Sequence, residues 1–202
     1  VSNEDIFQRE DLEYNVGEAV SSIIAQVRRT GDAALKAYAK EFDGAELACL
    51  EVSKEEIDEA FDTVEPEFLD ILREAAVNIR AFHEKQVRTS FVINEKDGVV
   101  MGQKVMPIEK VGIYVPGGTA AYPSTVLMDS IPAKIAGCPQ IVMATPPGKD
   151  GKINPVILAA AKIAGVDQIF KMGGAQAVAA LAYGTESVPK VDKIVGPGNA
   201  YV

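Results

Sequence analysis

The sequence predicts an α/β protein that contains a parallel sheet built from consecutive βαβ units. Four short runs of apolar, mainly β-branched residues begin near positions 111, 140, 167 and 191, and segments with helical spacing lie between them. The starts of these runs are roughly 24 to 29 residues apart, which is close to the length of one βαβ unit. Near-continuous apolar strands that alternate with helices are typical of a parallel sheet covered on both faces.

Helical patterns fill the chain before this sheet. Residues 1–15 are polar and acidic with isolated apolar anchors, and we expect an arm or short helix that packs on another element. Apolar spacing predicts a helix over 16–29, a second helix capped by Asp32, and a third that starts at a capping box on Ser53. A fourth helix is predicted to begin at Pro66 and to end near position 87.

A β-hairpin is predicted after the fourth helix. Apolar residues alternate on both sides of Asp97-Gly98, a dipeptide typical of two-residue hairpin turns. Two strands are too few for a stable sheet, and the preceding helices carry apolar faces that need a sheet to pack on. We therefore predict two domains. Residues 1–110 are an arm, helices and a hairpin belonging to an incomplete first α/β domain, and residues 111–202 are a βαβ domain.

The second domain is predicted to place glycine-rich loops where ligands bind. Ligands of such sheets lie beyond the carboxyl ends of the strands. Strands are expected over 111–115, 141–144, 168–171 and 193–195, with helices over 124–137, 153–164 and 174–183. The glycine-rich segments at the strand ends are Pro116-Gly117-Gly118, Gly173-Gly174-Ala175-Gln176 and Gly196-Pro197-Gly198-Asn199.

Glycine in these segments has two interpretations. It can be ordinary turn punctuation, or it can let a phosphate group approach backbone N–H groups without meeting a Cβ atom. The GxGxxG pattern of dinucleotide sites is absent from the sequence. Because all three segments are expected at one edge of the same sheet, together they favour a phosphate-bearing ligand.

Three polar side chains lie in or beside the glycine-rich segments. Tyr114, near the end of the first parallel strand, either packs in the core or contacts a nicotinamide or ribose. Gln176 and Asn199 each lie near a helix start, where they either cap the backbone or face the ligand. The residues alone leave these alternatives open.

Residue types alone do not provide a catalytic set. His83 is the single histidine and is interpreted as structural. Cys49 and Cys138 fit no metal or redox spacing, and Cys138 is interpreted as a buried, inert thiol. Ser124 has no histidine partner, and Glu186 is interpreted as a loop or cap residue. A general base, a nucleophile and a metal site are therefore unaccounted for.

Composition narrows the function classes. A chain of 202 residues that is 48% hydrophobic and 24% charged is typical of a globular protein. The net charge of −9 argues against a nucleic-acid partner, because phosphate binding needs a basic face. No apolar run approaches the length of a membrane span, and the first residues lack the order of a signal peptide. We therefore expect a cytoplasmic protein without a membrane partner.

Four segments closely resemble the histidinol dehydrogenase family. They are Val-Gly-Ile-Tyr-Val-Pro-Gly-Gly-Thr-Ala, Pro-Ser-Thr-Val-Leu-Met, Gly-Gly-Ala-Gln-Ala-Val-Ala-Ala-Leu-Ala-Tyr-Gly-Thr-Glu and Val-Pro-Lys-Val-Asp-Lys-Ile-Val-Gly-Pro-Gly-Asn-Ala-Tyr-Val. Weaker similarity extends upstream through Thr-Gly-Asp-Ala-Ala-Leu, Phe-Asp-Gly and Ala-Phe-His-Glu-Lys-Gln. The resemblance thus covers essentially the whole chain.

The resemblance implies an activity, cofactors and a coenzyme site. Members of this family are zinc-dependent homodimers that oxidise L-histidinol through the aldehyde to L-histidine with two NAD, at the end of histidine biosynthesis. The resemblance also implies that residues 111–202 form a Rossmann-like NAD-binding domain of the aldehyde-dehydrogenase-like type. The NAD contacts of the family map onto Tyr114, Gln176 and Asn199, which are the three side chains already singled out.

The resemblance also implies that this chain carries only part of the site. The family's zinc ligands, its substrate serine and its Glu-His proton-transfer pair are expected beyond Val202, so we expect no catalytic and no metal-ligating residue before it. We therefore predict that the chain is an N-terminal portion, inactive alone. A non-catalytic nucleotide-binding module is the main alternative. A different dehydrogenase of aldehyde-dehydrogenase-like architecture is disfavoured, because neither cysteine has a nucleophile context.

Overall fold

A four-stranded parallel sheet lies at the centre of the described residues, which are 16–117 and 121–198 of a computed structural model. Its strands are β3 (Lys110–Tyr114), β4 (Gln140–Thr145), β5 (Gln168–Lys171) and β6 (Lys193–Val195). They lie in the order β5-β4-β3-β6, and every neighbouring pair is parallel. The α/β class with a parallel sheet is therefore confirmed, while the predicted arm at 1–15 lies outside the described residues.

The helices that the sequence predicts are all present in the described part of the chain. A π-helical turn, Ala39–Asp43, ends the second helix, and a 3₁₀ turn, Glu84–Gln86, follows the fourth. The helix predicted from 153 begins two residues later, because the Asn154 side chain accepts from the Val156 N–H and caps it. The helices are α1 (Gly17–Thr30), α2 (Asp32–Tyr38), α3 (Lys54–Thr63), α4 (Pro66–His83), α5 (Pro123–Ile135), α6 (Pro155–Ala164) and α7 (Gly174–Tyr183).

The sheet separates two hydrophobic layers. Alternate residues of β4 face opposite layers, with Ile141 and Met143 on one side and Val142 and Ala144 on the other. Helices α5 and α6 cover the first face, and α3 and α4 pack against them from outside. Helix α7 covers the second face and α1 packs on it. Both faces of the sheet are thus buried, as near-continuous apolar strands require.

Residues before position 110 share these layers. Val52 and Leu72 belong to the same hydrophobic cluster as Ile141, so the helices preceding the sheet pack directly onto its covering helices. A short segment around Glu51 also pairs antiparallel with β5. Its hydrogen bonds run from the Val52 N–H to the Ile169 carbonyl (2.9 Å) and from the Lys171 N–H to the Leu50 carbonyl (2.8 Å). The division near residue 110 stays a prediction.

The predicted hairpin is confirmed as an antiparallel pair. Strands β1 (Phe91–Lys96) and β2 (Val99–Gln103) are joined through Gly98, whose φ of 75° lies in the left-handed region that favours glycine. Every residue of both strands is exposed, including apolar ones such as Val100 at 74%.

Among the helices in the described ranges, none combines the length and apolar character needed to span a bilayer.

The predicted helix caps are partly correct. The Ser53 hydroxyl accepts from the Glu56 N–H (3.2 Å), but the Glu56 carboxylate pairs with Lys171 (2.8 Å) and does not complete a capping box. Asp32 was wrongly predicted as a cap, because it is the first residue of α2 and its own N–H donates to the Glu186 carboxylate (2.7 Å). Glu186, interpreted from sequence as a loop or cap residue, therefore caps α2.

Candidate functional site

A cleft of about 1130 Å³ opens at the carboxyl edge of the parallel sheet. This volume is slightly above the usual range for small-molecule and cofactor sites, which is about 300 to 1,000 Å³. The loops after β3 and β4 and the first turn of α7 form its floor. One face of α1, the π-helical turn before Gly44 and the start of α6 form its walls. The cleft is therefore lined both by the glycine-rich loops that the sequence analysis singled out and by helical segments before the sheet that it did not.

Glycines in the floor are explained by close packing around Pro146. A Cβ atom on Gly117 would lie 2.3 Å from Cγ of Pro146, and one on Gly173 would lie 2.7 Å from its Cβ. The loops that follow β3 and β5 therefore both pack against the ring of one proline that follows β4. At these two positions, lack of room for a Cβ atom beside Pro146 explains why the residue is glycine. Gly118 lies outside the described residues.

The third glycine-rich segment joins the same edge. Gly196 follows β6 with a φ of 144°, and a Cβ atom there would lie 2.2 Å from the carbonyl oxygen of Tyr114. Only glycine permits this approach of the two backbones. The described residues of all three glycine-rich segments therefore meet at one edge of the sheet, as the sequence predicts.

Tyr114 is held in the cleft floor with its hydroxyl group oriented by the backbone. Its ring is only 5% exposed, and its Oη accepts a hydrogen bond from the Gly174 N–H (3.1 Å). Burial raises the pKa of Tyr114, while the Gly174 N–H opposes the shift and the nearby Asp43 carboxylate adds to it. The hydroxyl is therefore neutral at physiological pH, and its O–H can donate a hydrogen bond to a ligand.

Gln176 lies in the first turn of α7 and lines the same cleft as Tyr114. The residue is 4% exposed, and its side chain does not cap α7, whose N-cap is Gly173 and has no side-chain hydrogen bond. Within 16–117 and 121–198 its amide group has no hydrogen-bond partner. The structure therefore brings Tyr114 and Gln176 together, and the third predicted site residue, Asn199, lies outside the described residues.

Charged side chains around the cleft were missed by the sequence analysis. Lys149 and Lys152 are exposed at the rim, in the loop after β4, where their ammonium groups can offset the charge of a phosphate group. Glu41 and Asp150 also lie at the rim, and Asp43 is half-buried in the wall. The only sequence signal for Asp43 is its position in Phe-Asp-Gly, one of the segments that carry the family resemblance.

The described residues do not fit a zinc ion. No three histidine, cysteine, aspartate or glutamate side chains in the described ranges are grouped to hold a metal. His83 lies outside the cleft, where its Nδ1 is 2.7 Å from the Oε1 of Gln86. Cys138 is buried, as predicted, and Cys49 is exposed, and neither forms a disulfide.

Comparisons with known proteins give one family. The family model described as histidinol dehydrogenase matches residues 7–202. The histidinol dehydrogenase of Bacillus licheniformis is 55% identical over 92% of this chain and 43% of its own length. That of Listeria innocua is 57% identical over 93% and 44%, and that of Heliobacterium mobile is 53% identical over 100% and 48%.

A solved structure agrees with these relatives. The crystal structure of histidinol dehydrogenase from Elizabethkingia anophelis superposes with a TM-score of 0.88 at 42% identity, covering 93% of this chain and 43% of that one. The chain spans less than half the length of the relatives it matches. With a family model that covers nearly all of its residues, the chain belongs to the histidinol dehydrogenase family.

Proposed function

We propose that this chain supplies the NAD-binding cleft of a histidinol dehydrogenase, which oxidises L-histidinol through the aldehyde to L-histidine with two NAD. The observation that carries the proposal is the pairing of Tyr114 and Gln176 in one cleft at the carboxyl edge of a parallel sheet. The family resemblance assigns NAD contacts to both residues and to Asn199. A Rossmann-like domain of the aldehyde-dehydrogenase-like type, a homodimeric full-length enzyme and a cytoplasmic location belong to the same proposal.

The residues of the cleft suit a dinucleotide. Bound NAD supplies the hydride acceptor of the reaction. The Tyr114 hydroxyl, whose oxygen already accepts a hydrogen bond from the Gly174 N–H, donates a hydrogen bond to the ligand, and the Gln176 amide can both donate and accept one. Lys149 and Lys152 offset the charge of the pyrophosphate at the rim. Each group thus binds or orients the coenzyme.

Zinc is proposed for the full-length enzyme on the resemblance alone. The described residues offer it no ligand set. Polarisation of the substrate and proton transfer are therefore assigned to no residue of the described ranges. The contribution of this chain is binding and orientation of the coenzyme.

The test uses the full-length protein as its gene encodes it. L-histidinol and NAD are added with zinc, and NADH is followed by its absorbance while NAD binding is measured by calorimetry. Two NADH per histidinol consumed is the expected result. NAD binding without turnover would instead establish a nucleotide-binding module, and the absence of NAD binding would reject the proposed site altogether.

A further inference from the structure

One face of α1 turns apolar side chains toward the cleft. It consists of the N-cap residue Val16 and of Ala19, Val20 and Ile23, all of which line the cleft. Their helical spacing places them on one side of α1, whereas Val27 is the residue of this helix that is buried in the core. These four residues form the α1 stripe. An apolar surface on the wall of an open cleft suits an apolar part of a ligand.

Phe42 adds an aromatic ring to the same wall. It lies in the π-helical turn Ala39–Asp43, lines the cleft and is 54% exposed. Its ring stacks on that of Tyr38, with the ring centroids 5.3 Å apart and the planes 7° from parallel. Tyr38 packs on the second hydrophobic layer and so supports one face of the Phe42 ring. The other face is left for a flat ligand, which can stack on it in the same way.

The turn that carries Phe42 lies toward β4. Gly44, two residues after Phe42, would place a Cβ atom 3.7 Å from Cγ of Lys149 in the loop after β4. On the other side of β3, Gly196 follows β6 and packs on the carbonyl of Tyr114. A dinucleotide that extends along this edge of the sheet therefore has one ring near β4 and the other near β3 and β6.

The two rings of a dinucleotide need different surroundings. Adenine is neutral and has two π faces, so stacking and apolar contact suit it. Nicotinamide carries a carboxamide whose oxygen and NH₂ group need hydrogen-bond partners. The buried Tyr114 hydroxyl and Gln176 amide of the floor can provide such partners, whereas the α1 stripe has no polar side chain. Adenine is therefore the ring that fits the wall.

We propose that the adenine ring of the dinucleotide stacks on Phe42 and packs along the α1 stripe. The proposal rests on the proposed function of the cleft. Stacking on an aromatic side chain strengthens binding without any hydrogen bond to the base, because every base has a π face. Phe42 thereby fixes the adenosine half of the coenzyme at the wall and leaves the floor to the nicotinamide half.

The experiment measures binding of NAD and of ADP-ribose, which lacks the nicotinamide ring, by calorimetry. It uses the full-length protein and its variant Phe42→Leu, which keeps an apolar side chain and removes the aromatic face. We expect both affinities to fall by the same factor, about fivefold or more, as for loss of one base–aromatic stack. Phe42→Tyr keeps the ring and should keep both affinities within about twofold.

Phe82→Leu is the matched control. Phe82 is an exposed phenylalanine of α4 that does not line the cleft, so the same substitution there should leave both affinities unchanged. Urea unfolding of each variant without ligand shows whether the substitution acts on the fold. Phe42→Met replaces Phe42→Leu if that variant does not fold, with the same expected loss of affinity.

The outcomes separate the two proposals. If the unmodified protein does not bind NAD, the proposed function fails. If it binds NAD and Phe42→Leu keeps that affinity, the assignment of Phe42 is overturned. A loss of stability without a loss of affinity would show in addition that other residues of the full-length protein cover the ring.

Nicotinamide is the competing occupant of the wall, because the flanking carboxylates of Glu41 and Asp43 would attract its positive charge. In that case Phe42→Leu would weaken NAD binding and leave ADP-ribose binding unchanged, and adenine would be the wrong ring. A protein that binds NAD but not ADP-ribose would overturn the assignment as well, since the adenosine half would then have no site of its own.

Discussion

The hydroxyl of Tyr114 and the amide of Gln176 are both buried in the cleft, but they differ in whether the protein itself gives them a hydrogen-bond partner. Tyr114 is fixed by a backbone N–H from the loop that starts α7, so its orientation is set before any ligand arrives. Gln176 has no such partner within the described part of the chain. Removal of its amide should therefore lower the affinity for the ligand and leave the stability of the fold unchanged.

Gln176→Ala is expected to weaken NAD binding by about fivefold at little cost in stability. The reason is that a neutral hydrogen bond contributes about 1 kcal/mol, and here its partner is the ligand. Calorimetry gives the affinity and urea unfolding gives the stability. Gln86→Ala, which removes an amide that hydrogen-bonds His83 outside the cleft, should leave NAD affinity unchanged. Parallel losses of stability and affinity in Gln176→Ala would make Gln176 a structural residue.

Asp43→Asn is expected to stabilise the ligand-free protein at neutral pH. The folded-state pKa of about 6 exceeds the ordinary 3.8, so the native state holds the proton more tightly and the ionised carboxylate destabilises it above pH 6. This group's favourable contribution is therefore complete below pH 4 and is lost as the pH rises through 6. The gain should be about 1 kcal/mol after allowance for partial exposure of the carboxylate.

Urea unfolding of the full-length protein and of Asp43→Asn, at neutral pH and near pH 4, measures this gain. The difference should shrink as the pH falls, because the carboxyl group becomes protonated in both states. Asp62→Asn controls for the general change in net charge. An equal difference at both pH values would show that the effect does not come from ionisation of Asp43.

Sequence reasoning identified Tyr114 and Gln176 but not Asp43. The first two lie in segments whose pattern of apolar run, glycine and helix predicts the carboxyl edge of a strand. Asp43 ends a helical hairpin far earlier in the chain, where an Asp-Gly pair reads as a turn. Its place over the cleft depends on how α1 packs on α7, and local patterns carry no information about that contact.

At the scale of elements, the loops of the cleft floor are fitted to one another through Pro146. The loop after β4 places this ring against both Gly117 and Gly173, where a Cβ atom would collide with it. Sequence patterns gave the bounds of most strands and helices because their periodicity is local. They did not give the pairing of residues around Glu51 with β5, or the capping of α2 by Glu186, which are long-range contacts.

Gly173→Ala is expected to destabilise the full-length protein by about 1 to 3 kcal/mol, the usual cost of overpacking. The backbone at Gly173 is extended, with φ of −125°, so the cost comes from the contact with Pro146 and not from strain at alanine. Urea unfolding measures it. Gly17→Ala is the control, because the new methyl group meets no described atom outside its own helix within 4 Å, and this variant should lose no stability.

Adding Pro146→Ala to Gly173→Ala should recover part of this loss, because it removes the ring that the new methyl group meets. A double-mutant cycle then gives a coupling between the two positions. Additive losses would show that the neighbouring loop, and not Pro146, opposes the methyl group.

At the scale of the whole molecule, binding of the coenzyme and binding of the metal are expected to separate. The cleft is built from residues of this chain, and no group of candidate metal ligands occurs in its described ranges. Treating the full-length protein with a chelator should abolish histidinol oxidation and leave NAD affinity within about twofold of its original value, because the described residues of the cleft include no group of candidate metal ligands. Parallel loss of both on chelation would show that zinc shapes the coenzyme site.

The contact between Glu186 and Asp32 has a consequence for synthesis of the protein. The two residues are 154 positions apart, so the carboxylate that caps α2 is translated long after the helix itself. At about 5 to 20 residues per second, α2 waits roughly 8 to 30 s on the ribosome before its cap is made. The edge segment around Glu51 likewise waits for β5. During that interval the nascent helices expose apolar faces that are later buried, and chaperones that bind such faces would meet this protein before its sheet exists.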